Sequence, residues 1–150
     1  MKKQIITAIA AIFLMTSVTF AKDTNPVPKQ IVNELNQQFK NANDVIWNAS
    51  PNFYKASFTV ANQSMQAFFS FEGQLIGVSR TISLEQLPMA LLQEANEKSN
   101  SQPATELFEL LTDRGTEYYI TFGTGKEQKT FSSSGTSWNR FDIRTFKQSH

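Results

Sequence analysis

The stretch Asn52–Gly73, NFYKASFTVANQSMQAFFSFEG, reads as two β-strands joined by a polar turn and closed by a second turn at Glu72-Gly73. Tyr54, Ala56, Phe58 and Val60 alternate with more polar residues, and Met65, Ala67, Phe69 and Phe71 do the same. A period of two places one set of side chains on a single face of a strand, so these residues form a core face. The opposite set, Phe53, Lys55, Ser57 and Thr59 with Phe68 from the second strand, points the other way.

Working outward, a degenerate copy of this hairpin follows later in the chain. Tyr54, Ala56 and Phe58 match Tyr118, Ile120 and Phe122 at a shift of 64, and Phe69 and Gly73 match Phe131 and Gly135 at a shift of 62. A second-hairpin turn shorter by two residues accounts for the change in shift. Each hairpin is preceded by an amphipathic helix. Val27, Ile31, Val32 and Leu35 lie on one helical stripe that continues to Phe39, and Leu87, Leu91, Leu92 and Ala95 repeat it 60 residues on. Val27-Pro28 and Leu87-Pro88 open the two helices, with proline suited to the first helical position. Asp44–Asn48 and Gln74–Ile82 complete the first set of strands, with Ile76 and Val78 inward. Strands over Glu106–Thr112, Thr116–Phe122, Lys126–Ser132 and Thr136–Ile143 complete the second, with a tight turn at Gly123-Thr124-Gly125. The fold class is therefore α+β: a tandem repeat of one helix plus four antiparallel strands, about 27–82 and 87–143, with the helices on one face of the sheet.

The 150 residues suffice for one domain or two small repeats, and 13 Phe suit a β-rich core. Met1–Ala21 has the layout of an export signal: Lys2-Lys3, an apolar run over Ile5–Val18, and a small residue at Ala21 where cleavage is expected. The run is short for a membrane span, and the mature chain is expected in the periplasm or outside the cell, with no span after cleavage. Without Lys2 and Lys3, the 14 basic residues fall to 12 against 13 acidic, a balance that does not point to nucleic acid. The absence of Cys excludes disulfides, thiolate metal sites and cysteine nucleophiles.

No residue pattern for chemistry stands out. The one His, His150, is terminal, the Gly123–Gly125 glycines sit between strands, and the carboxylates are scattered. No catalytic, cofactor or metal site is assigned. The candidate protein-binding residues are Phe53, Lys55, Phe68 and Tyr119 on the strand faces turned away from the helices, with Trp138 and Arg140 in the last strand, whose pattern changes phase toward Phe141 and Ile143. Aromatic and Arg side chains on an uncovered sheet face are protein-binding anchors.

Val27-Pro28, Val45-Ile46-Trp47, Tyr54-Lys55-Ala56-Ser57-Phe58, Phe69-Ser70-Phe71-Glu72-Gly73 and Leu87-Pro88, in this order and spacing, resemble the PepSY-like, β-lactamase-inhibitor-like family of proteins exported by Bacteroidetes. The resemblance covers essentially the whole mature chain. It implies a fold similar to the β-lactamase inhibitory protein, two repeats whose sheets form a concave face, and a binding role without chemistry. It does not imply inhibition of a β-lactamase, because fold does not carry function. The chain departs from that inhibitor in having no Cys, and no inhibitory contact residue maps onto it. The expectation is a non-enzymatic exported binding protein, an inhibitor or sequestering module acting on a protein or peptide partner in the envelope. The alternative is a periplasmic small-molecule or metal-binding protein.

Overall fold

The computed structural model describes residues 27–141. The expected leader over Met1–Ala21, Ile143 and His150 lie outside the described residues. The chain divides into two compact units, one ending at Arg80 and the next starting at Thr81.

The first unit runs α1 (Lys29–Gln38), β1 (Asn43–Ala49), β2 (Tyr54–Val60), β3 (Gln63–Phe69) and β4 (Leu75–Thr81). Its strands form an antiparallel meander in chain order. Pro28 stands just before the helix, at φ −55° and ψ 137°, and not at the first helical position. Its carbonyl accepts the N–H groups of Ile31 and Val32, which would otherwise be orphaned in the first turn. Ile31 and Leu35, four residues apart, are both fully buried against Ala56, Phe58, Ala67 and Phe69. Phe39 packs on Phe58 with ring centroids 4.9 Å apart, and Trp47 on Phe69 at 5.8 Å. The turn between β2 and β3 is the pair Ala61-Asn62, both at positive φ, the backbone that two-residue hairpins require.

Two inward assignments shift. The β3–β4 ladder slips between Phe68 and Phe69, so Leu75, and not Ile76, joins the helix-side core opposite Phe69, while Val78 stays opposite Ala67. Phe71 lies in the turn past the end of β3 and is exposed, resting edge-on against Tyr54 at 5.3 Å. Gly73, at φ +89°, turns the chain close to Gln30 and Ile31 of α1, where an L-residue would be strained.

The second unit runs α2 (Met89–Ser99), β5 (Ala104–Thr112), β6 (Gly115–Phe122), β7 (Lys129–Ser133) and β8 (Asn139–Phe141), again an antiparallel meander. A 3₁₀ turn, Leu84–Gln86, leads into it, closed by a reciprocal Ser83/Gln86 cap. Pro88 precedes α2 as Pro28 precedes α1, and its carbonyl accepts from Leu91 and Leu92. Ile82, Leu87, Leu91, Ala95, Leu107, Ile120, Phe122 and Trp138 form the core.

The ladder registers locate the repeat more finely than residue matching. Trp47 pairs with Ala56 as Leu107 pairs with Ile120, so helix and first strand share the 60-residue shift. Ala56 pairs with Ala67 as Ile120 pairs with Phe131, so the next two strands share a shift of 64. Phe131 is thus the counterpart of Ala67 and not of Phe69. The pairs Phe58–Met65 and Phe122–Lys129 enclose connections of equal length. The first zips two rungs further to a two-residue turn. The second opens at Gly123 into the 3₁₀ turn Gly125–Glu127, which takes up part of the expected seventh strand. The two-residue loss falls later: Gln66 pairs with Ser79 and Thr130 with Phe141, so the last strand carries the shift of 62, in step with Gly73 and Gly135.

Candidate binding face

In an antiparallel ladder, residues directly opposite each other share a face. The face of β2 turned from α1 carries Lys55, opposite Phe68 of β3 and Asn48 of β1. Phe68 lies opposite Gly77 of β4. Phe53, just ahead of β2, meets Phe68 edge-on with centroids 5.6 Å apart. The neighbouring row is polar across β2, β3 and β4, namely Ser57, Gln66 and Ser79, and ends at Ile46 on β1.

In the second unit the corresponding face carries Phe108 opposite Tyr119. Their rings stack at 5.0 Å and 10° between planes. Phe141 meets Tyr119 edge-on at 5.5 Å. The Tyr119 hydroxyl donates to Glu117 Oε2 at 2.6 Å. Burial, followed by that hydrogen bond, raises the Tyr119 phenol well above the ordinary tyrosine range. Thr121 and Thr130, also on this face, share a buried hydroxyl–hydroxyl bond of 3.0 Å.

Four of the six sequence candidates therefore lie on faces opposite the helices. Their exposure differs from expectation. Phe53, Phe68 and Tyr119 are buried, at 1%, 0% and 4% of their full exposure, while Lys55 is half-buried. Desolvation lowers the Lys55 ammonium from its usual range.

The other two candidates turn the opposite way. Arg140 pairs with Phe131, which pairs with Ile120, so it stands on the helix-side face, exposed. Trp138 precedes β8 and is buried among core residues of the second unit. Its indole N–H donates to the Leu91 carbonyl at 3.0 Å, and its backbone N–H donates to Glu94 Oε2 at 3.0 Å. Glu94 also pairs with Lys98 at 3.4 Å, and Lys98 lies 4.9 Å over the Phe131 ring. The strand phase changes because Trp138 belongs to the turn and not to the strand.

Sequence reasoning missed Ile46, Phe108, Phe141 and Ser79 on these faces. Phe108 carried a signal: Leu107, Phe108, Leu110 and Leu111 break the alternation, as a strand with two apolar faces does. Ile46 is 63% exposed beside Trp47, whose side chain takes the core. Ser79 is 1% exposed, and its hydroxyl finds no hydrogen-bond partner among the described residues.

Burial raises the Glu106 carboxyl above its usual range. No group of three or more His, Cys, Asp or Glu among the described residues is arranged to hold a metal ion. No helix among them is long and apolar enough to cross a membrane.

No family model matches the chain. No curated protein matches it. Solved structures do. A BLIP-like protein from Bacteroides fragilis superposes with a TM-score of 0.69 at 21% identity, covering 82% of this chain and 92% of that one. A DUF2874 family protein from Bacteroides ovatus gives 0.67 at 13% identity, covering 77% and 89%. Another from Bacteroides uniformis gives 0.65 at 13% identity, covering 75% and 86%. The fold is thus BLIP-like, α+β with one helix per antiparallel meander.

Proposed function

We propose that this chain is an exported, non-enzymatic binding protein, an inhibitor or sequestering module that engages a protein or peptide of the cell envelope through the sheet faces opposite its helices. The observation that carries the reading is the aromatic content of those faces. A sheet with one face on its own helix and the other in solvent alternates apolar with polar. Here the faces turned from α1 and α2 hold Phe53 and Phe68 in one unit and Phe108, Tyr119 and Phe141 in the other. Phe53, Phe68, Phe108 and Tyr119 are buried and make these faces rigid, and the area open to a partner lies beside them at Ile46, Lys55 and Phe141. The BLIP-like fold supports the same reading, and the leader at Met1–Ala21 supports export.

The test is co-purification of the exported protein from envelope extract of its host. Phe53→Ala, Phe68→Ala and Tyr119→Ala together remove the retained partner. Because all three are buried, Ile46→Glu serves as a second variant: Ile46 is exposed on the same face as Ser57. Ile46→Glu weakens capture at an unchanged melting temperature. If every partner is retained by both variants, the proposal fails.

A further inference from the structure

We infer that the open edge of β1 pairs with the same edge of a second copy of this chain, antiparallel and with Trp47 on the two-fold axis, to form a weak homodimer. The occupant of the edge is the chain itself, so the inference does not rest on the partner proposed above.

Among the described residues β1 pairs with β2 alone, so its other side carries unpaired backbone groups. Which groups these are follows from the hairpin. The Ser50 N–H donates to the Phe53 carbonyl at 2.9 Å, one rung beyond the Ala49–Tyr54 pair. Hydrogen-bonded rungs alternate with open rungs in an antiparallel ladder. Asn48 and Ile46 therefore direct their N–H and C=O groups to β2, and Ala49, Trp47 and Val45 direct theirs to the free edge. The register slip between Asn43 and Ile46, with Asp44 at φ +54°, ends the regular stretch beyond Val45.

Edge strands are ordinarily guarded against pairing by lysine, by proline or by very short length. Residues 45–49, Val-Ile-Trp-Asn-Ala, contain no charge and no proline. β8, with three residues and an exposed Arg140, carries such guards. A second copy fits the β1 edge because the edge is self-complementary, the requirement of a two-fold interface. With Trp47 facing Trp47 of the second copy, Val45 meets Ala49 and Ala49 meets Val45. These are three rungs of two hydrogen bonds each, and they use every outward N–H and C=O of the stretch. A shifted centre leaves some of them unpaired. On the face opposite α1, the exposed Ile46 lies against the half-buried Asn48 of the second copy. On the helix side, Trp47, half-buried on Phe69, gains an aromatic neighbour. Asp44, the only charge on β1, falls outside the overlap, so no like-charge rung forms. The near balance of basic and acidic residues leaves little long-range repulsion between copies. The overlap of one short strand is at the low end of interface sizes, so the dimer is weak.

The test is sedimentation equilibrium of the purified exported protein, followed by disulfide trapping, which a chain with no Cys of its own allows at chosen positions. The mass rises from monomer toward dimer between about 10 μM and 1 mM. Ile46→Lys weakens association about tenfold or more at an unchanged melting temperature, because Ile46 is exposed in the monomer. Adding Asn48→Glu, which sets opposite charges on both rungs between residues 46 and 48, restores it. In a glutathione redox buffer, Ile46→Cys mixed with Asn48→Cys yields the mixed disulfide in excess over either self-linked species. Residues 46 and 48 face each other across open rungs, where side chains are closest. A protein that stays monomeric at about 1 mM, its β1 edge left for the strand of another protein, overturns the inference. So does association that ignores Ile46→Lys, an Asn48→Glu addition that restores nothing, or self-linked species as abundant as the mixed one.

Discussion

Trp138 gives the sharpest test of the second core. Trp138→Phe keeps an aromatic ring among Leu91, Ala95, Ile120 and Phe122 but removes the indole N–H that reaches the Leu91 carbonyl at 3.0 Å. That carbonyl sits within α2 and keeps its helical role as acceptor for the N–H four residues on, so it is not orphaned. The lost bond is then worth about 1 kcal/mol, not the larger penalty of an unsatisfied buried group. The smaller ring loses roughly another 1 kcal/mol of buried apolar contact. A total near 2 kcal/mol lowers the melting temperature by about 4–8 °C in a protein of this size. Trp138→Ala costs about 3–5 kcal/mol. Urea unfolding followed by far-UV circular dichroism reads these values directly, with the slope against urea unchanged if only stability has moved. A loss below about 0.5 kcal/mol for Trp138→Phe, the usual range of a surface substitution, would refute the core assignment. So would loss of partner capture at unchanged stability, since that would make Trp138 an interface anchor.

Glu94→Ala should cost about 1 kcal/mol in the same assay, because the Trp138 backbone N–H loses its acceptor. Glu94→Gln, which keeps an accepting oxygen and loses only the pair with Lys98, should cost a few tenths. Replacing Ala61-Asn62 with Asn-Gly should raise stability by about 0.5–1 kcal/mol, since both positions have positive φ, while Gly73→Ala should lower it by about 1–2 kcal/mol. Glu106→Gln should stabilise the protein at pH 7. Burial raises the folded carboxyl pKa, so the folded state binds its proton more tightly than the unfolded chain and the ionised form opposes folding. The advantage should shrink as pH falls through the folded value and vanish below the unfolded one, near 4. An unchanged Gln-minus-Glu difference between pH 7 and pH 3.5 would contradict this.

The hairpin Asn52–Gly73 was legible because alternation, a polar turn and a closing glycine all pointed to the same structure. The helices were legible for the same reason, since Ile31 and Leu35, or Leu91 and Ala95, fall on one stripe at helical spacing. The shift near Phe131 misled because matching like residues aligned Phe131 with Phe69, whereas backbone pairing aligns it with Ala67. Side-chain identity differs between the two units while the ladder register is the same. Leu75 was missed because a slip in the ladder leaves no mark in composition. Facing in the last strand depended on whether Trp138 lay in the strand or its turn, which its hydrogen bonds to acceptors on α2 decide and local sequence does not. The sequence also had no means to show that Phe53, Phe68 and Tyr119 are buried, because alternation tells which face a residue takes and not what covers that face.

Each unit holds one of the protein's two tryptophans, Trp47 in the first core and Trp138 in the second. Nature has thereby placed a separate optical reporter in each half. In Trp138→Phe only the first half fluoresces through tryptophan, and in Trp47→Phe only the second. Coincident urea midpoints, corrected for the cost of each substitution, would mean that the duplicated halves melt as one cooperative block. Separated midpoints would mean that each unit folds on its own.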